Sequence, residues 1–280
     1  MSLAIKPLRS PTQVATSVTR PLFVFFPGMD GTGQLLRPQL DGLTKFFDIR
    51  YLSISADDLT GWVGLREQVA HLIDKEKQRS PACPIYLCGE SFGGCLALQL
   101  AAHFPRLCDR LILVNPASSA VNQPWMNWGA SLTKWLPESL YRVSTLGLLP
   151  LLISPQRVSI SNQQALLIAM QSVSPRSAAW RISLLTKFTL EQLPLNQIFQ
   201  PALILASGAD RLLPSVAEAG RLAQHLANSC SVLLPQSGHA CLLETEIKLG
   251  NILTSWLQVA EGTLHCSQQP RHPSGWCPSG

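Results

Sequence analysis

The chain has 280 residues, of which 46% are hydrophobic and only 14% charged, enough apolar material for a large buried core and too much for a disordered chain. Its formal net charge is +5, with 22 Lys and Arg scattered and not clustered, so the electrostatic footprint of nucleic-acid binding is missing. No apolar run reaches the roughly 18–20 residues that span a bilayer, and Leu146 to Ile153 is broken by Gly147 and Pro150.

Residues 1–20 carry charge and lack the apolar segment and small-residue cleavage site of a secretory signal, so they read as a flexible leader and a cytoplasmic location is expected. They are also too short for a two-strand hairpin, which leaves about six strands for the sheet. Cys88, Cys95, Cys230 and Cys241 lie in or beside apolar runs and are expected to be buried free thiols.

Leu22 to Phe26 is a short, wholly apolar run ending at Pro27-Gly28, the pattern of a parallel strand buried on both faces. A glycine-rich loop follows, Gly28 to Gly33, then a helix from about Leu35 to Phe46 and a strand near Ile49 to Ile54. Trp62, Leu65, Val69, Leu72 and Ile73 recur at helical spacing and predict a helix over 62–78. Ile85 to Cys88 is the next buried strand, Phe92 to Phe104 a helix of small residues closed by Pro105, and Leu111 to Val114 another strand. This alternation predicts a mostly parallel, doubly wound sheet. It breaks over 116–200, where helical spacing without strands predicts an inserted cap. Core resumes at 201–260, with strands at Ala202 to Ala206 and Ser231 to Leu234 and helices at Ser215 to Asn228 and Leu243 to Val259. Residues 261–280, rich in Gly, Ser, Pro and Gln, are expected to be a disordered tail.

Gly89-Glu-Ser91-Phe-Gly93 fits G-x-S-x-G directly after a strand and directly before a helix. A residue thrown out at such a sharp turn leaves no room for side chains two positions away, which the glycines satisfy. A serine hydroxyl needs a base within hydrogen-bond reach, and the base a carboxylate to orient it. Of six histidines, His71, His103 and His225 lie in predicted helices and His265 and His272 in the tail, which leaves His239 in a loop after a strand. Among the acidic residues between Ser91 and His239, Asp109 precedes a strand, Glu138 and Glu191 belong to the cap and Glu218 to a helix. Asp210 alone follows a strand end, giving the order nucleophile, acid, base that marks the α/β-hydrolase fold. An oxyanion hole needs two amides, and the N–H groups of Phe92 and Met29 are the candidates. The loop Gly28 to Gly33 matches neither dinucleotide nor P-loop spacing.

With these motifs in place, Phe26-Pro-Gly-Met-Asp-Gly-Thr-Gly33, Gly89-Glu-Ser-Phe-Gly-Gly94 and Asn115-Pro-Ala-Ser118 resemble the hydrolase half of the phytyl ester synthase and diacylglycerol acyltransferase family of plastids and cyanobacteria. The resemblance implies an α/β-hydrolase core over 21–115 and 201–260, Ser91, Asp210 and His239 as triad, and the Met29 loop as part of the oxyanion hole. Full-length members carry an acyltransferase-like half with H-x-x-x-x-D, a motif this sequence does not contain, so hydrolysis or triad-mediated transfer is expected.

Four of the seven tryptophans, Trp125, Trp128, Trp135 and Trp180, fall in the cap, and Trp125, Trp128 and Trp180 are the expected substrate contacts. Six basic residues there (Lys134, Arg142, Arg157, Arg176, Arg181, Lys187) face two acidic ones, which suits an acyl substrate and peripheral contact with a membrane. The expected activity is hydrolysis of a lipophilic ester or thioester, with transfer to a lipid alcohol or ligand reception without turnover as the alternatives. No cofactor is expected, and no metal, since His265, Cys266, His272 and Cys277 lack paired C-x-x-C spacing.

Overall fold

The computed structural model describes residues 3–8, 20–123, 126, 133 and 136–262. Strands β1 (Leu3–Pro7), β2 (Leu22–Phe26), β3 (Asp48–Ile54), β4 (Ile85–Glu90), β5 (Arg110–Val114), β6 (Ala202–Ser207) and β7 (Ser229–Leu234) form one sheet. Their spatial order is β1-β3-β2-β4-β5-β6-β7, with every neighbouring pair parallel except β1 against β3. This is an α/β-hydrolase fold.

The sheet has seven strands and not six, because Leu3–Pro7 of the expected flexible leader is an antiparallel edge strand, pairing Leu3 with Ile54 and Pro7 with Arg50. No hairpin is required, since the partner is a strand supplied much later in the chain. Lys6 and Pro7 are exposed while Leu3 is buried, as suits an edge. The helix expected over 35–46 is a 3-10 segment, Gln34–Gln39, followed by the short helix α1 (Leu40–Leu43); Pro38 removes an amide donor there. The closing helix α8 (Leu249–Gly262) starts later than expected, after a 3-10 turn at Cys241–Leu243.

The strands bury both faces. Leu22, Val24 and Phe26 of β2 join the core beneath α2 (Trp62–Arg79) and α3 (Phe92–His103), while Phe23 and Phe25 join the core on the other face with Leu249, Leu253 and Trp256 of α8. Helix α3 is buried from Phe92 to Ala102, which its small and apolar residues permit. Between β5 and β6 the described residues include the helices α4 (Glu138–Leu152), α5 (Ile160–Gln171) and α6 (Pro175–Leu185). Ser159 and Ser174 cap α5 and α6 by accepting from the Asn162 and Ser177 amides, and Pro175 sits where its missing N–H costs nothing. Helix α7 (Ser215–His225) separates β6 from β7.

Cys83, Cys88, Cys95, Cys108 and Cys241 are free, and all but Cys83 are buried. Cys230 departs from the expectation: it is disulfide-bonded. It lies half-buried on the outermost strand β7, where its sulfur is not sealed by a further strand.

Gly33 has φ +68°, and a Cβ there would lie 2.2 Å from the Tyr51 ring. Gly33→Ala is therefore expected to lose about 2–4 kcal/mol from backbone strain and overpacking, lowering Tm by roughly 5–10 °C. Thermal denaturation checks this, and an unchanged Tm would contradict the packing described.

Candidate active site

Ser91 follows β4 and begins α3 with φ 54°, a backbone region that non-glycine residues rarely occupy. Its neighbours enforce the turn: a Cβ on Gly89 would lie 2.2 Å from the Gly93 carbonyl oxygen, and one on Gly93 would lie 2.0 Å from that of Phe26. The Ser91 amide donates to the Val114 carbonyl (3.0 Å), and its own carbonyl accepts from Gly94 (3.0 Å) and Ala117 (3.1 Å). The strained residue is thereby held on both sides, and its hydroxyl stands at the carboxyl edge of the sheet.

His239 comes to Ser91 from the loop after β7 and Asp210 from the loop after β6. His239 Nε2 is 2.9 Å from Ser91 Oγ, and Nδ1 is 2.7 Å from Asp210 Oδ2. With Nδ1 protonated, the ring donates to the carboxylate and accepts from the serine hydroxyl, the tautomer a general base requires. Asp210 Oδ1 accepts from the Leu212 (2.8 Å) and Leu213 (3.0 Å) amides, and Oδ2 also accepts from the Ser215 hydroxyl. Burial pushes the Asp210 carboxyl up, but the His239 ring and these hydrogen bonds outweigh it and hold the group below the usual carboxylate range.

The sequence reading missed the groups that hold the histidine loop. Glu244, with a fully buried side chain, accepts from the Gly238 amide (2.8 Å), the Ser237 hydroxyl (2.9 Å) and Arg157 Nε (2.7 Å). Arg157 belongs to the inserted segment, whose Leu152 carbonyl also accepts from the Ala240 amide (2.8 Å). From below, buried Asn115, at φ 42°, donates to the His239 carbonyl (2.7 Å) and to Ser207 Oγ (2.8 Å) and accepts from the Ser207 amide (2.8 Å). Asn115 stood in the Asn115-Pro-Ala-Ser118 motif without a role assigned to it, and the sequence signal for Glu244 was a polar side chain after Cys241-Leu-Leu243.

The loop after β2 passes beside the nucleophile, so that a Cβ on Gly28 would lie 3.9 Å from Ser91 Cβ. The Gly31 amide donates to the Gly28 carbonyl (3.1 Å), closing a turn around Met29 and Asp30, and Asp30 accepts from the Thr32 amide (2.8 Å). The Phe92 amide is the first of α3, without a partner inside the helix and at its positive end. Two buried carboxyls stand close by. Burial raises Asp30, against bonds from Thr32 and the charge of Arg181; burial and the Asp30 charge push Glu90 up to about 8. Glu90 Oε1 has no hydrogen-bond partner among the described residues.

Trp180 is half-buried, packs against the core and donates from its indole to the Thr60 carbonyl (3.2 Å), so it ties α6 to the α/β core. Trp125 and Trp128 lie outside the described residues, as do the tail cysteines and histidines. Of the six basic residues of the cap that suited membrane contact, Arg157 and Arg181 turn onto the protein itself, onto Glu244 and onto the carbonyls of Met29 and Ser55. Among the described residues no His, Cys, Asp and Glu cluster could hold a metal.

A parallel sheet with a strained serine between β4 and α3, and acid and base on the later strand ends, defines the α/β-hydrolase class. The chain belongs, within that class, to the family described as serine aminopeptidase, S33, whose model matches residues 58–246. It is 34% identical over 257 residues to phytyl ester synthase 1, chloroplastic, of Arabidopsis thaliana, covering 83% of this chain. It is 29% identical to phytyl ester synthase 2, chloroplastic, of the same plant over 91% of this chain. The chain spans only 36% and 40% of those two relatives' lengths. Pimeloyl-[acyl-carrier protein] methyl ester esterase of Nitrosomonas europaea is 32% identical, over 56% of this chain and 65% of its own. Among solved structures, MenH from S. aureus superposes with TM-score 0.70 at 19% identity, covering 93% of this chain and 99% of that one. An esterase from Thermogutta terrifontis does so with TM-score 0.69 at 17% identity, covering 92% and 93%.

The raised Glu90 carboxyl has a consequence for stability. The folded chain keeps this proton up to about pH 8, whereas an ordinary glutamate releases it near 4.5. Raising the pH through that window therefore costs stability. Glu90→Gln is expected to melt with wild type at the lower end and progressively above it toward pH 8. Thermal denaturation across pH measures the gap, and a gap that does not change with pH would contradict it.

Proposed function

We propose that this chain is a serine hydrolase that cleaves a lipophilic carboxylic ester or thioester through an acyl-enzyme on Ser91. The observation that carries the reading is the unbroken hydrogen-bond line from Ser91 Oγ through His239 to Asp210, at 2.9 and 2.7 Å. Ser91 Oγ attacks the carbonyl carbon as its proton passes to His239 Nε2, and Asp210 steadies the imidazolium. The Met29 and Phe92 amides receive the developing oxyanion. Collapse expels the alcohol or thiol, which takes the proton from His239. Water then gives its proton to His239, attacks the acyl carbon and releases the acid, and Ser91 regains its proton.

An alcohol in place of water would turn the same cycle into acyl transfer. The similarity to two phytyl ester synthases favours phytol, or another lipid alcohol such as diacylglycerol, as that acceptor. Apolar Leu140, Val143 and Leu146 are exposed on α4, opposite its buried Tyr141 and Thr145, which supports peripheral contact with a membrane or lipid body. Among the described residues no helix is long and apolar enough to cross a membrane.

A fluorophosphonate probe is expected to label the wild-type chain and not Ser91→Ala, and failure to label wild type would favour ligand reception without turnover. Ser91→Ala should lower kcat about 10⁵–10⁶-fold and Asp210→Asn roughly 10³–10⁴-fold. With p-nitrophenyl esters, kcat/KM is expected to rise from acetyl to long acyl groups; a strict preference for acetyl would contradict a lipophilic substrate. Adding phytol to an acyl donor distinguishes transfer, by phytyl ester formation, from hydrolysis alone.

A further inference from the structure

Arg181 lies on α6, in the segment inserted between β5 and β6, yet is only 2% exposed. Its guanidinium reaches across to the α/β core: Nη1 donates to the Met29 carbonyl (2.5 Å) and Nη2 to the Ser55 carbonyl (2.8 Å). Gly31 makes the room, since a Cβ there would lie 2.9 Å from Nη1. Buried Asp30, Asp58 and Tyr141 supply the surrounding electrostatic partners. Burying an arginine is expensive, and a flat fork bonded to two carbonyls is an arrangement that lysine cannot reproduce.

The geometry of the loop says what the arginine holds. In a trans peptide the C=O and N–H point in opposite directions. The Gly28 carbonyl is turned inward to accept from the Gly31 amide, so the Met29 N–H of that same peptide is turned outward from the turn. The next peptide, joining Met29 to Asp30, carries the carbonyl that Arg181 grips. One bond sets the first peptide plane and Arg181 sets the second.

We infer that Arg181 is a positioning residue of the oxyanion hole, fixing the Met29 amide from the inserted segment so that the loop is ready before substrate arrives. It touches neither the substrate nor the reacting atoms; it acts through the Met29–Asp30 peptide. The inserted segment thus completes the reaction centre, beyond any part it plays in choosing the acyl group. Donor placement of this kind stabilises the transition state more than the bound substrate, so its loss falls on kcat and leaves KM nearly untouched.

The inference rests on the serine-hydrolase reading, and the test separates the two. Wild type, Arg181→Ala and Arg181→Lys are compared by circular dichroism, steady-state kinetics on one p-nitrophenyl ester and the rate of fluorophosphonate labelling. Arg181→Ala, folded, is expected to lose about 10²–10³-fold in kcat with KM changed less than about threefold, and its labelling rate should fall in parallel. Arg181→Lys should lie between the two, and added guanidinium ion should raise the Arg181→Ala rate about tenfold or more by refilling the fork. Wild type that neither turns over nor labels would overturn the hydrolase reading itself. Active wild type with a folded Arg181→Ala of equal kcat, or with the loss carried by KM, would overturn only the role of Arg181. If Arg181→Ala does not fold, a folded Arg181→Lys at wild-type kcat has the same meaning.

Discussion

The close approach of three backbones around Ser91 is the constraint on which the rest depends. β4 must end, α3 must begin, and the loop after β2 must pass alongside, all within distances that a single Cβ on Gly89 or Gly93 would violate. That crowding holds Ser91 at φ 54°, and the hydrogen bonds that Ser91 donates to Val114 and accepts from Gly94 and Ala117 keep it from relaxing. The consequence runs outward. A helix begun so tightly against the sheet is crowded, and the buried residues of α3 are small or apolar except for Gln99. The same turn places Ser91 and the start of α3 beside the Gly28 loop.

Electrostatics completes what packing begins. Asp210 sits in a buried position that would by itself favour the neutral acid, and four hydrogen bonds to its two oxygens reverse that balance. Beside the Met29 loop the balance is different: Asp30 has Arg181 and Thr32 for company, while Glu90 has an oxygen unpartnered among the described residues and keeps its proton to about pH 8. The inserted helices contribute on both sides, Arg157 through Glu244 to the histidine loop and Arg181 to the Met29 loop. The inserted segment is thereby joined to both loops by cations, Arg181 buried and Arg157 partly exposed.

The parallel core was legible in the sequence because its strands are buried on both faces and read as unbroken apolar runs, Leu22 to Phe26 most clearly. β1 was not: its half-exposed LAIKP run resembles a polar leader, and its partner β3 lies far along the chain, with Tyr51 opposite Lys6. Ser91, Asp210 and His239 were legible because each occupies a loop at a strand's carboxyl end, a placement that eliminates the other acids and histidines. The parts played by Asn115, Glu244, Arg157 and Arg181 were not, because their partners lie far along the chain, and nothing local marks an arginine that turns inward. Cys230 was misread for a related reason, since its apolar neighbours do not reveal that β7 is the outermost strand.

The central claim is that one point above Ser91 is reached at once by the histidine, the Phe92 amide and the Met29 amide. A crystal structure of the chain after phosphonylation tests it most directly. The account predicts a single adduct on Ser91 Oγ with one phosphonyl oxygen about 3 Å from both amide nitrogens and His239 still bonded to Asp210. An adduct on another side chain, or a phosphonyl oxygen turned to solvent with the Met29 amide facing away, would contradict it.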